Sequence, residues 1–433
     1  MAKRILLIVL AGLFVFNVSF EAPTEGDDLY QGRQLILKIS APAKLSERFP
    51  GGGEMADFHL GFVKRYGEEI QDIQFHPYTG YYVVATGEGV DLEDLKGRLL
   101  REASVEKVSF NYMAYIYETI PNDPDFKYQY ALLNTGQLFR ENPPLEGSAG
   151  SDIKAAEAWD WTTGEGDVVI AVLDTGVAGG HEDLAGKMAA GYNFINDGPD
   201  AYDDHGHGTF VASIAAAQTD NGVGIAGVCW HARVMPIKCV RSSGAGSYLD
   251  IAAAIRFAAD NGARVINLSL GGRSPSFILE EACRYAFEKG CVIVGSAGNQ
   301  GGPVIYPAGY DEYCLAVAAT DAHDQVPAWS NYGPQVDVAA PGDEVRGAWY
   351  SPFAPQYLDR YGYKSGTSFS APFVAGAAAL LWAYKPFLTN AEVMELIKIT
   401  ADDVNASVLP GVDERMGYGR INLHTLLAPY KLD

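Results

Sequence analysis

The chain has 433 residues, 54 acidic against 32 basic side chains, and a formal net charge of −22 at pH 7. Hydrophobic residues make up 48% and charged residues 20%, with 48 glycines. This is the composition of packed globular domains, and the length suits two or three of them. A nucleic-acid binder needs a basic face to neutralise phosphates, which so acidic a chain does not offer. The surplus carboxylates serve solubility and can supply oxygen ligands to hard cations.

Lys3 and Arg4 precede an apolar run from Ile5 to Phe16 that continues less purely to Phe20. A basic segment followed by a short apolar one reads as a secretory signal, residues 1–22, with Phe20-Glu21-Ala22 a weak match to a cleavage site. It falls short of the ~20 apolar residues of a membrane span, and no other segment reads as apolar enough. Secretion without a stable membrane anchor is therefore expected.

Residues 23–118 then read as a small α+β unit. Arg33–Ile39 alternates like a strand, Phe58–Tyr66 has helical spacing, and Gln71–Phe75 with Tyr81–Ala85 flank a Pro-Tyr-Thr-Gly turn. Leu92–Arg101 is an amphipathic helix and Val105–Val108 a last strand. That order suits a ferredoxin-like domain, which by itself implies no chemistry.

After the Pro- and Asp-rich stretch Ile120–Asp125 the pattern changes. Val168–Leu173, Val234–Cys239, Val265–Leu270, Val292–Gly295, Leu315–Ala319 and Val336–Ala340 are nearly unbroken apolar runs, with helical segments such as Leu249–Asn261 between them. Such strands imply a mainly parallel sheet covered on both faces, a three-layer α/β/α domain over residues 119–433. Sites in these sheets gather at the carboxyl ends of the strands. Leu138–Ser151 and Asp343–Tyr363 read as surface insertions. Five cysteines at 229, 239, 283, 291 and 314 include no C-x-x-C pair, and their odd number leaves at least one without an intramolecular partner.

Three strand ends or turns carry reactive groups. Asp174 ends the first apolar strand, His207 opens a small-residue helix in Asp203-Asp-His-Gly-His-Gly-Thr, and Ser368 opens another in Ser365-Gly-Thr-Ser-Phe-Ser-Ala-Pro. Singly, each has a plain reading as a cap, turn or hydrogen-bonded residue. Together they supply acid, base and nucleophile, and free N–H groups at a helix start favour a developing oxyanion. The order Asp, His, Ser is that of the subtilisin triad.

The segment from about Thr119 onward resembles the subtilisin-like (subtilase) serine proteases, particularly their thermitase-like branch. The matches are D-T-G at 174–176, H-G-H-G-T at 205–209, S-L-G-G at 269–272, A-G-N at 297–299 and G-T-S-x-S-A-P at 366–372. The resemblance implies a Ser368–His207–Asp174 triad, with His207 and not His205 as the base, and Asn299 as the oxyanion donor. It implies that Ser269, Leu270 and Gly271 receive an extended substrate, that Ala297 and Gly298 wall the first pocket, and that Ile305 forms its floor, which favours apolar side chains. It implies a Ca²⁺ site built from Asp123, Asp183, Thr219, Asn221, Val223 and Ile225. A second cation site in Asn196–Asp204 is less well matched. The 23–118 unit resembles the family's inhibitory propeptide, with Val105–Tyr117 as the tail that occupies the cleft before self-cleavage. Partners are then protein and peptide substrates and the chain's own propeptide, on a monomer. Phe210 and Phe369 stand where the family often has His and Met.

Other enzyme classes fit poorly. There is no G-x-S-x-G elbow and no H-E-x-x-H motif. A non-catalytic protein on the same fold would be expected to lack one of the four residues Asp174, His207, Asn299 or Ser368.

Overall fold

The computed structural model describes residues 30–39, 65–67, 69–76, 78–87, 89–112, 119–350 and 360–428. The leader, most of the Phe58–Tyr66 helix and the end of the Val105–Tyr117 tail lie outside the described residues. The chain forms two compact units, Met1–Tyr117 and Glu118–Asp433.

In the first unit, β1 (Tyr30–Ile39), β2 (Ile70–His76), β3 (Tyr81–Thr86) and β4 (Val105–Tyr112) form an antiparallel sheet in the order β2-β3-β1-β4. Alternation puts Leu35 and Leu37 on one face, where they pack with Ile73, Val84, Phe110 and the Leu95 and Leu99 side of α1 (Leu92–Leu99). Asp91 starts that helix by accepting the Glu93 and Asp94 N–H groups. The strand order is the ferredoxin-like one expected from the sequence.

The second unit begins with a hairpin, β5 (Leu138–Glu141) and β6 (Pro144–Glu146), and a short helix α2 (Ala155–Trp159). Its centre is a seven-stranded sheet. The strands are β7 (Val169–Asp174), β8 (Tyr192–Asn193), β9 (Arg233–Lys238), β10 (Val265–Leu268), β11 (Val292–Ser296), β12 (Cys314–Thr320) and β13 (Val338–Pro341), in the order β13-β12-β11-β10-β7-β9-β8. Every pairing between them is parallel. Alternate residues face opposite layers. Ile170, Val172, Val234 and Val294 pack under α3 (His207–Ala216) and α6 (Thr367–Tyr384). Ala171, Leu173, Ile237 and Ile293 pack under α4 (Tyr248–Asp260) and α5 (Phe277–Glu288). Two buried faces explain why these strands read as unbroken apolar runs.

A two-stranded ribbon, β14 (Val345–Trp349) with β15 (Arg360–Lys364), precedes α6, and α7 (Asn390–Ile399) and α8 (Leu423–Leu427) complete the unit. By length and composition α6 passes for a membrane span, which corrects the reading that no segment beyond the leader does; in place it is the buried core helix of this layer. All five cysteines are buried free thiols.

Strand order reverses at β7: the chain first adds strands on the β9 side and then returns through β10 to the other. The carboxyl ends of β7 and β10 therefore border the switch-point crevice where ligands bind in such sheets.

Candidate active site

Asp174 ends β7, with 2% of its side chain exposed. His207, the first residue of α3, brings Nδ1 to 2.8 and 2.9 Å from the two Asp174 oxygens. Only a protonated nitrogen is stable against a carboxylate, so Nδ1 carries the hydrogen and Nε2 is the acceptor. Burial disfavours the imidazolium, but the charge and hydrogen bond of Asp174 and the charge of Asp203 outweigh burial and the opposing Lys364, and the His207 pKa is raised.

Ser368 lies in the first turn of α6 and lines the same cleft as Asp174 and His207. Its hydroxyl donates to the Ser269 carbonyl at 3.2 Å. The hydroxyl must leave that carbonyl to donate to the imidazole. Such bonds are often long in substrate-free sites and tighten on binding. Ser269 Oγ donates to the Ser368 carbonyl at 2.6 Å, tying the end of β10 to the nucleophile's turn.

Asn299 faces this turn with a fixed amide orientation. Its Oδ1 accepts the Thr367 N–H at 2.8 Å and the Thr367 hydroxyl at 2.9 Å. A backbone N–H can only donate, so the oxygen must face it and Nδ2 points elsewhere. Neither Asn299 Nδ2 nor the Ser368 N–H has a hydrogen-bond partner among the described residues. These are two preorganised donors beside the hydroxyl, placed where an oxyanion would form.

The cleft is about 560 Å³ and takes in Ser269, Leu270, Gly271, Gly298 and Ile305. Ile305 sits against the 269–271 edge: a Cβ on Gly271 would come within 2.7 Å of Ile305 Cδ1 and 2.6 Å of the Tyr306 carbonyl. That position therefore has room only for glycine. Ala297 is buried behind the wall; its carbonyl accepts the Ile305 N–H and Asn331 Nδ2, both at 3.0 Å.

The structure also brings the expected cation ligands together. Asp183 is buried and accepts the Ile225 N–H at 2.9 Å, while Asn221 Nδ2 approaches it at 3.4 Å. Asp123 accepts the Asp220 N–H at 2.7 Å. Burial pushes Asp183 up to about 7 and also raises Asp123, and each charge opposes ionisation further: Asp123 acts on Asp183, and Asp220 on Asp123. The Thr219, Val223 and Ile225 carbonyls accept no hydrogen bond among the described residues, whereas Gly224 between them accepts the Asp125 N–H. Two buried carboxylates with no basic partner among the described residues, an amide side chain and free alternate carbonyls are the hard-oxygen set Ca²⁺ takes. Among the described residues no three Asp, Glu, His or Cys side chains cluster, so a cation here would rely on those carbonyls. In the 196–204 segment the carboxylates have other partners: Asp197 accepts from Tyr192, and Asp204 pairs with Lys238 at 2.6 Å.

Three supporting residues escaped sequence reasoning. Asp203 Oδ1 accepts the Thr175 hydroxyl and the His205 and Gly206 N–H groups, and its Oδ2 accepts the Thr209 N–H and hydroxyl. It thereby clamps the turn after Asp174 to the start of the His207 helix. The Lys238 ammonium is buried and donates to the Thr175 and Val240 carbonyls as well as to Asp204. Asn331 Oδ1 accepts the Gln300 and Gly302 N–H groups, bracing the loop that carries Asn299. An acid two residues before H-G-H-G-T was the one visible signal; the other two depend on long-range contacts. His205 is exposed at the cleft rim, its ring 6.3 Å from that of His207.

Residues 165–419 match the family model described as the subtilase family (Peptidase_S8). The chain is 44% identical over 266 residues to the thermophilic serine proteinase of Bacillus sp. strain AK1, covering 61% of this chain and 63% of that protein. It is 40% identical over 273 residues to thermitase of Thermoactinomyces vulgaris, covering 63% of this chain and 92% of that protein. It therefore spans less than two thirds of the first of these relatives and most of the second. A solved structure of a protease from Pseudoalteromonas arctica PAMC 21717 superposes with a TM-score of 0.60 at 32% identity, covering 71% of this chain and 98% of that one. The chain belongs to the subtilase family, and its relatives place it with the thermitase-like branch.

Proposed function

We propose that the chain is a secreted serine endopeptidase of apolar-leaning specificity, made as a self-cleaving precursor and held in shape by Ca²⁺. The observation that carries this reading is the His207 Nδ1–Asp174 pair in a cleft that Ser368 also lines, where Asn299 Nδ2 and the Ser368 N–H have no hydrogen-bond partner among the described residues.

A serine hydroxyl is a weak nucleophile at its own pKa. With a peptide paired along Ser269–Gly271, the Ser368 hydroxyl gives its proton to His207 Nε2 as Oγ attacks the carbonyl carbon. Asp174 holds the imidazole in the right tautomer and stabilises its charged form. Asn299 Nδ2 and the Ser368 N–H take the oxyanion. His207 then protonates the leaving amine, and water, activated by the same imidazole, releases the acyl group. Ile305 on the cleft floor favours an apolar side chain before the scissile bond.

Asp123, Asp183, Asn221 and the carbonyls of Thr219, Val223 and Ile225 would hold the cation, whose charge offsets the buried carboxylates. The 23–118 unit acts as propeptide, with cleavage near Tyr117–Ile120. Support for that junction comes from Thr119, whose N–H and hydroxyl both donate to Asp160, so the second unit holds its chain from this residue onward.

The test is to express the full chain with and without Ser368→Ala. The active form should mature and degrade unfolded protein; the variant should accumulate uncut and hydrolyse nothing. Maturation of the variant at the normal rate in isolation would refute the assignment.

A further inference from the structure

Beside the main cleft lies a second pocket of about 290 Å³. It shares His205, His207, Asn299 and Ser368 with the first, and Trp349, Phe369, Lys364 and Ser365 close it. The nucleophile sits where the two pockets meet. A peptide whose acyl half lies along Ser269–Gly271 must then put its leaving half here; this step rests on the function proposed above.

Phe210, Trp349 and Phe369 give the pocket an apolar wall, His205, Ser365 and the residues shared with the cleft give it polar groups, and Lys364 is its one lysine or arginine. No Asp or Glu lines it, and Lys364 has no carboxylate at ion-pair distance among the described residues. The ammonium lies 3.9 Å from the centroid of the Trp349 ring. An aromatic face attracts a cation without cancelling its charge, so the lysine is oriented and still available to a ligand. Its charge already acts on His207, where it opposes the imidazolium.

The lysine's position is fixed by the ribbon that carries it. Lys364 ends β15 opposite Val345, and Gly347 faces Gly362 between Lys364 and Trp349. A Cβ on Gly347 would come within 2.5 Å of the Phe210 ring, so the ribbon seats directly on the helix that holds His207. Phe210 in turn packs on Phe369 at 4.9 Å, and Phe369 on His207 at 5.4 Å. The two aromatic replacements noted in the sequence thus form the pocket's back wall.

We propose that Lys364 gives the enzyme a preference for a carboxylate on the first residue after the scissile bond. The carboxylate comes either from an Asp or Glu side chain or from the α-carboxylate of a C-terminal residue. A charge-assisted contact at a partly exposed site corresponds to a gain of about 5- to 20-fold in kcat/KM over a neutral isostere. The gain should shrink as salt screens the pair.

The experiment uses enzyme matured from the full chain and quenched peptides with one common acyl half. One pair carries Glu or Gln just after the scissile bond; a second pair ends at that residue as a free acid or an amide. The ratio of kcat/KM within each pair is read from a single preparation, so it does not depend on the amount of folded enzyme. Wild type should favour the Glu or the free-acid member, and which pair responds identifies the source of the carboxylate. Lys364→Met should bring that ratio near one, and Lys364→Glu should invert it. Hydrolysis of all four peptides with ratios near one in wild type would overturn the proposal while leaving the peptidase reading intact. Failure to hydrolyse any of them would overturn both.

Discussion

Asn299 and His207 separate two parts of the chemistry. The Asn299 amide is oriented by Thr367, so only its Nδ2 end is free for the oxyanion of the proposed mechanism. Asn299→Ala should lower kcat by about 10²–10³ with little change in KM, a magnitude that belongs to subtilisins as a class. A variant with unchanged kcat would remove Asn299 from the oxyanion site. In the proposed mechanism His207 must be neutral to take the serine proton. Its pKa is raised against the cost of burial, first by Asp174 and then by Asp203, so activity is lost as pH falls through a value above the ordinary 6.5. The acid limb of kcat/KM should sit above 6.5, and Asp203→Asn should move it down by removing one of the raising charges. A limb at or below 6.5 in wild type would contradict the electrostatics described here.

At the scale of elements, what was legible in the sequence was whatever repeats locally. The parallel strands announced themselves because both faces of each are buried, and the reactive residues because they stand where such strands and helices begin or end. The β14–β15 ribbon was not legible in this way. Its segment reads as a surface insertion, yet Tyr361 packs against His181 and donates to Glu182 next to Asp183, Arg346 pairs with Asp125, and Trp349 and Lys364 line the pocket beside the cleft. Those partners are far away in sequence and leave no local period. The same holds for Asn331 and Lys238, whose roles are hydrogen bonds to distant backbone. The 219–225 loop was legible by resemblance, and its carbonyl alternation gives a prediction. Chelation should lower the melting temperature by roughly 4 °C, since a ligand at about 100 times its Kd adds about 2.7 kcal/mol to the folded state of a unit of this size. Asp183→Asn should show a lower melting temperature that chelation no longer changes. A wild-type melting temperature indifferent to chelator would remove the site.

At the scale of the whole molecule, the two units carry separate cores, Leu35 to Phe110 in one and the layers about the parallel sheet in the other. The sequence order of strands and helices was enough to assign both architectures, because hydrophobic period changes from two to continuous at the boundary. The proposed self-cleavage and the proposed peptidase activity would both depend on one nucleophile. That claim is tested most directly by treating the mature enzyme with a sulfonyl fluoride and locating the adduct by mass spectrometry. The account predicts one adduct per chain, on Ser368, formed in step with loss of peptidase activity and absent in His207→Ala. Full inactivation with the adduct on another residue, or full activity with Ser368 modified, would contradict it.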